Sequence, residues 1–178
     1  MNDKVIVALI SVGVGWCLSQ FTEIVRSKIR SRKLKSALGA ELEDISFKLS
    51  KSREYCESFA KSLLEGESFN FIPLKIKTLV HDKYYAELYA SYNQPERIAL
   101  SAIYGQLEHF NSLIDDFDPN HVEQQYMQMF QVIILTLGSI EQFSEDPNKQ
   151  LGDVEGKMQK INNEIENYSM KIVASKIC

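Results

Sequence analysis

Interruptions are scarce in this 178-residue chain: four prolines and eight glycines. Long irregular stretches are therefore excluded, and extended helices or strands are favoured. Cysteine is scarce too. Cys17, Cys56 and Cys178 make an odd count whose spacing fits no metal or redox pair. They read as small apolar or terminal thiols of a reducing compartment. Only three histidines are present, and no nucleophile stands near them in sequence, so little speaks for acid–base catalysis.

Charge is missing where it is most telling. From Val5 to Thr22 there is no Asp, Glu, Lys or Arg. As a helix those residues would extend about 27 Å, close to the hydrocarbon thickness of a bilayer. The expectation is one transmembrane helix within residues 1–25. A cleaved signal peptide would need a cationic start and a small-residue cleavage site, and a lipoprotein signal would need a small residue where Trp16 stands. A core helix of a soluble protein is the remaining alternative, which the mid-segment Trp16 fits.

Cations are abundant immediately afterwards. Arg26, Lys28, Arg30, Arg32, Lys33 and Lys35 form a neck, residues 26–35, with no acid between Ile24 and Ala40. The positive flank predicts that the neck and body are cytoplasmic, and the six side chains are candidates for contact with anionic headgroups, at roughly 1 kcal/mol each near the surface. Within the span, Ala8, Ser11, Gly15 and Ser19 share one helical face. Small residues so spaced let helices approach closely in lipid, which suggests self-association or docking on another span.

The body, residues 36–178, has the opposite charge. From Ser36 onward 13 of the 20 Lys and Arg residues face 22 of the 24 Asp and Glu residues, a net of −9. Nucleic-acid binding needs a cationic face and is disfavoured. The apolar pattern is helical throughout. Leu38, Leu42, Ile45, Leu49, Ser52, Cys56, Phe59 and Leu63 alternate by four and three, a coiled-coil-like stripe that could continue unbroken from the neck to Gly66. Pro73 would open a second helix over Leu74–Ser91. Asn93, with Glu96 three residues on, predicts a capped third helix ending near Ile114. A fourth starts after Asp118-Pro119 and carries Val122, Tyr126, Met129, Ile133, Leu137 and Ile140. The last shows Leu151, Val154, Met158, Ile161, Ile165, Tyr168 and Ile172. The fold class is all-α: an N-terminal span, then an antiparallel bundle of about five helices, the first and last longest at about 28 residues and suited to pair.

Chemistry is harder to find. Asp116-Phe-Asp-Pro-Asn120 begins like a calcium loop, but His121 and Met127 stand where Gly and Glu are needed. Helix capping by Asp118 or Asn120 explains the same residues. His81-Asp82 and Glu108-His109 are adjacent pairs, which a helix points to different sides. Tyr84, Tyr85, Tyr89, Tyr92 and Tyr104 suggest core packing or a protein-binding groove. No catalytic, cofactor-binding or metal-ligating set emerges, and no enzyme activity is expected.

The neck Arg26–Lys35, the segment Phe71-Ile-Pro73 and the stretch Ala99-Leu-Ser-Ala-Ile-Tyr-Gly-Gln-Leu107 resemble a loose class of uncharacterised bacterial proteins with one N-terminal span, a basic neck and a small helical bundle. The resemblance implies a bacterial inner-membrane setting and transfers no activity. The functional expectation is a membrane-anchored interaction module, an anchor, adaptor or regulatory subunit, with lipids and a protein partner or second copy as its partners. The alternative is a self-associating membrane effector of defence or toxin type.

Overall fold

The computed structural model describes the backbone of residues 3–67 and 71–174, with side chains from Ser11 onward. Among the described residues it is all-helical, with no strand. The elements are α1 (Asp3–Glu65), α2 (Leu79–Ser91), α3 (Gln94–Asp115), α4 (Val122–Glu145), a 3-10 turn at Leu151–Asp153, and α5 (Lys157–Ala174).

α1 is one helix of 63 residues, about 94 Å long at helical rise. The expected span, neck and first body helix are thus a single element. No proline interrupts it, and its exposed side carries i,i+3 and i,i+4 ion pairs such as Lys48–Asp44 (3.2 Å), Lys51–Glu54 (2.8 Å) and Arg53–Glu57 (3.0 Å). It stops at Gly66, whose φ of 68° suits a residue without Cβ. There Glu67 N–H donates to Ser62 C=O (2.9 Å) and Gly66 N–H to Leu63 C=O (3.4 Å), a Schellman ending that satisfies carbonyls the helix would leave open.

The heptad stripe becomes the spine of the core. Leu38, Leu42, Ile45, Leu49, Ser52, Cys56 and Phe59 are all buried. α3 and α4 form an antiparallel hairpin in which α4 packs on this spine with Tyr126, Met129 and Ile133, and Leu100, Ile103 and Leu107 of α3 join the same core. α5 lies along α1, as the two stripes suggested: Tyr168 hydroxyl donates to Cys56 C=O (2.8 Å), Arg53 pairs with Glu164, and Tyr168 stacks on Phe130 with centroids 3.9 Å apart. Phe59 stacks on Tyr126 at 4.0 Å.

The Asn93 cap forms as expected. Glu96 N–H donates to Asn93 Oδ1 (3.0 Å), and Glu96 Oε2 accepts the Asn93 N–H (2.7 Å).

Two boundaries differ from the sequence reading. Pro73 does not open a helix; α2 begins at Leu79. Residues 71–78 instead run irregularly across the bundle, with Pro73 and Ile76 buried. Asn111 of α3 holds them there: Ile76 N–H donates to its Oδ1 (2.9 Å), and its Nδ2 donates to Ile76 C=O (2.9 Å). One amide thus satisfies both backbone groups that a helix would have paired internally. The last element is also shorter than about 28 residues. Gly156, at φ 83°, separates the 3-10 turn from α5, which has 18 residues. The break lets Leu151 fold back onto α4 at Gly138. A Cβ at Gly138 would stand 2.6 Å from Ile161 Cδ1 and 3.4 Å from the Leu151 methyls.

Candidate functional site

α1 extends beyond the bundle. Every residue from Ser11 to Arg30 is exposed, and the core begins only at Leu34 and Leu38. The protruding part is not polar. Val12 is 72% exposed, Trp16 65% and Phe21 66%, with Val14, Leu18 and Ile24 similarly bare. At about 100° per residue these six side chains cover about two thirds of the helix circumference, and Ser11, Gly15, Ser19 and Thr22 occupy the remaining arc. A helix packed on one core shows an apolar stripe of about 100° or more; an arc of about two thirds of the circumference is wider than one such packing surface covers. The Thr22 hydroxyl is satisfied internally, donating to Leu18 C=O (2.8 Å).

Among the described residues no helix is long and apolar enough to cross a membrane. The expected span starts at Val5, and the side chains of Val5–Ile10, including Ala8 of the small-residue face, lie outside the described residues. Of that face, Ser11, Gly15 and Ser19 are exposed, and a Cβ added at Gly15 would meet nothing within 4 Å.

The six neck cations divide into two groups. Arg30 pairs with Glu87 of α2 (2.5 Å), and Lys35 lies 4.0 Å from the centre of the Tyr92 ring. Both bind α2 to α1, so they serve the bundle. Arg26, Lys28, Arg32 and Lys33 are exposed and form a cationic collar where the apolar stem meets the acidic body.

Elsewhere the polar candidates find structural partners. The Asp115–Glu123 loop closes on itself. Asp118 Oδ1 accepts the Asn120 N–H (2.9 Å), Asp118 Oδ2 lies 2.7 Å from His121 Nδ1, and Asp118 N–H donates to Gln125 Oε1 (2.8 Å). The Asn120 N–H and then His121 hold the Asp118 carboxyl below the usual carboxylate range. Asp118 thus makes a turn that leads into α4. The cap position itself falls to His121, whose side chain makes no capping bond. Among the described residues no group of three or more His, Cys, Asp or Glu side chains is placed to hold a metal ion.

His81 and Asp82 do touch, with Nδ1 and Oδ1 3.4 Å apart, but a third residue organises them. Glu41 of α1 reaches the start of α2, accepting the N–H of Val80 (2.5 Å) and of His81 (3.1 Å), and it also accepts the Tyr104 hydroxyl (2.9 Å). A carboxylate at a helix N-terminus meets open N–H donors and the positive dipole end. Burial and then Glu41 push the Tyr104 phenol far up, so it stays protonated. His81 stacks on Tyr104, centroids 3.6 Å apart. Glu41 reads in sequence as one more exposed helix charge. Its partners lie 39 to 63 positions away, so no local signal marks it. His109 is exposed on α3, and Asp115 follows Tyr104 by about 16 Å of helix, so the histidines and the acidic loop do not converge.

No family model matches this chain, no curated protein matches it, and no solved structure matches its fold.

Proposed function

We propose that the protein is a membrane-anchored interaction module: the stem of α1 inserts in the bacterial inner membrane, the collar lies against anionic headgroups, and the bundle holds a partner on the cytoplasmic side. The observation that carries this is the wide, bare apolar surface of α1 between Val12 and Ile24. In water that surface is unfavourable at roughly 25 cal/mol per Å². A one-sided groove on a partner would leave half of it wet, whereas lipid surrounds it. The uncharged stretch from Val5 to Thr22 and the collar Arg26, Lys28, Arg32 and Lys33 fit an insertion with the neck inside. Binding, rather than turnover, suits a body whose acidic loop is consumed in a turn.

The test is fractionation of the full chain expressed in bacteria, with alkaline carbonate extraction of the membranes. The wild type is expected in the carbonate-resistant pellet, and Val14→Lys with Leu18→Lys in the supernatant with its helix content retained. Extraction of the wild type by carbonate would sink the proposal. A second reading, a self-associating effector, is favoured by the open face at Gly15. It expects a homo-oligomer in mild detergent that Gly15→Leu dissociates, and depolarised cells on overexpression. A stoichiometric foreign partner and unchanged membrane potential would support the anchor.

A further inference from the structure

A cleft of about 460 Å³ opens between α2 and α3. His81, Asp82 and Tyr85 line one wall, and Ser101, Tyr104 and Glu108 the other. The rings form a continuous aromatic surface. His81 stacks on Tyr104, meets Tyr85 edge-on at 5.2 Å, and Tyr85 leads on to Tyr89 at 4.9 Å. No Lys or Arg is among the lining residues. Among the described residues Asp82 accepts the Thr78 hydroxyl (2.9 Å) and touches His81 at 3.4 Å, which leaves oxygen lone pairs for a further donor, and Glu108 is exposed at the rim.

A separate observation indicates what the rings attract. Three neighbouring tyrosines each carry one of the chain's own cations on a face: Tyr84 carries Lys83 (5.3 Å), Tyr89 carries Arg97 (5.3 Å), and Tyr92 carries Lys35 (4.0 Å). Among the described residues no such cation lies over Tyr85, the tyrosine that opens into the cleft at 47% exposure. Electron-rich ring faces with carboxylates at hand select a desolvated ammonium or guanidinium group.

We propose that the α2/α3 cleft binds an organic cation, the side-chain head of an arginine or lysine or the equivalent group of a free amine. Tyr85 supplies the ring face, His81 sets its position by edge-on contact, and Asp82 and Glu108 supply the counter-charge. The site is built from α2 and α3 alone and stands whether or not the stem enters a membrane.

The full chain in non-ionic detergent, with its tyrosine and histidine rings isotopically labelled, is titrated by NMR with acetyl-arginine amide. The uncharged isostere acetyl-citrulline amide serves as control, and agmatine as the free amine. Saturable shifts centred on Tyr85 and His81 are expected, with citrulline at least about tenfold weaker. Asp82→Asn with Glu108→Gln is expected to weaken arginine by about tenfold or more. Gly105→Leu, which leaves every carboxylate in place but fills open space beside the cleft, is expected to do the same by exclusion. Equal binding of arginine and citrulline, absence of saturation, or undiminished affinity in a folded Asp82→Asn/Glu108→Gln variant overturns the proposal. If agmatine binds as tightly as the peptide amide, the ligand is a free amine; if it binds much more weakly, a partner chain supplies it.

Discussion

Replacing Asn111 by Ala removes two hydrogen bonds at once and adds no bulk. Ile76 is 2% exposed, so its N–H and C=O lose these partners in a place water reaches poorly. Leaving a buried polar group unpaired costs about 1–3 kcal/mol, and two such groups would cost about 2–6. Asn111 is itself half-buried, so some water can enter beside it, and about 2–4 kcal/mol is the expected loss. The loss takes one of two forms. Either global stability falls by that amount in urea unfolding followed by circular dichroism, or residues 71–78 lift off α3 and cap the cost. Hydrogen exchange over 71–80 separates the two, since release speeds exchange there without moving the urea midpoint as far. Asn111→Asp keeps the acceptor for Ile76 N–H but sets a carboxylate oxygen against its C=O, and should cost at least as much as Ala at neutral pH. An Asn111→Ala protein within about 0.5 kcal/mol of wild type, with exchange over 71–80 unchanged, would refute the idea that this amide holds the segment.

Two glycine substitutions should act in opposite directions. Gly39→Ala, exposed in the middle of α1 with open space around its Cβ position, should stabilise by about 0.5–1 kcal/mol through helix propensity. Gly138→Ala places a methyl against Ile161 and Leu151 and should destabilise by about 1–3 kcal/mol, read from the same urea curves. The Cys56 thiol is buried, and burial followed by the Glu57 charge pushes it up to about 12. It should therefore resist a thiol reagent at neutral and mildly alkaline pH for as long as the bundle is folded, and react promptly once urea unfolds it. Equal labelling of Cys56 in the folded and unfolded protein, followed by peptide mapping, would contradict that burial.

What the sequence made legible followed from short-range regularities. The α1 stripe is set by recurrence at three and four, so each member from Leu38 to Phe59 lies in the core. The Asn93–Glu96 cap spans three positions, and its chemistry is local. What escaped depends on residues distant in the chain. Pro73 fits the first turn of a helix as well as an extended strap, and contacts from distant positions decide between them: Asn111 on Ile76, Tyr126 on Phe71 and Asp115 on Lys75. The break before α5 was missed because the apolar spacing continues through Leu151, Val154 and Met158 as if Gly152 and Gly156 were absent. The neck appeared as six equivalent cations, since charge runs carry no record of which members meet Glu87 or Tyr92 in the fold.

The unbroken course of α1 gives the molecule a fixed rotational phase. No hinge separates the stem from the spine of the bundle, so whatever grips Val12–Ile24 also sets the azimuth of α2 and of every groove around the bundle. Each residue added to or removed from the neck turns those surfaces by about 100° and shifts them by about 1.5 Å relative to the stem. Length within Arg26–Lys35 is therefore a geometric parameter as much as a charge reservoir, and a torque applied at one end of α1 reaches the other as rotation of the whole body.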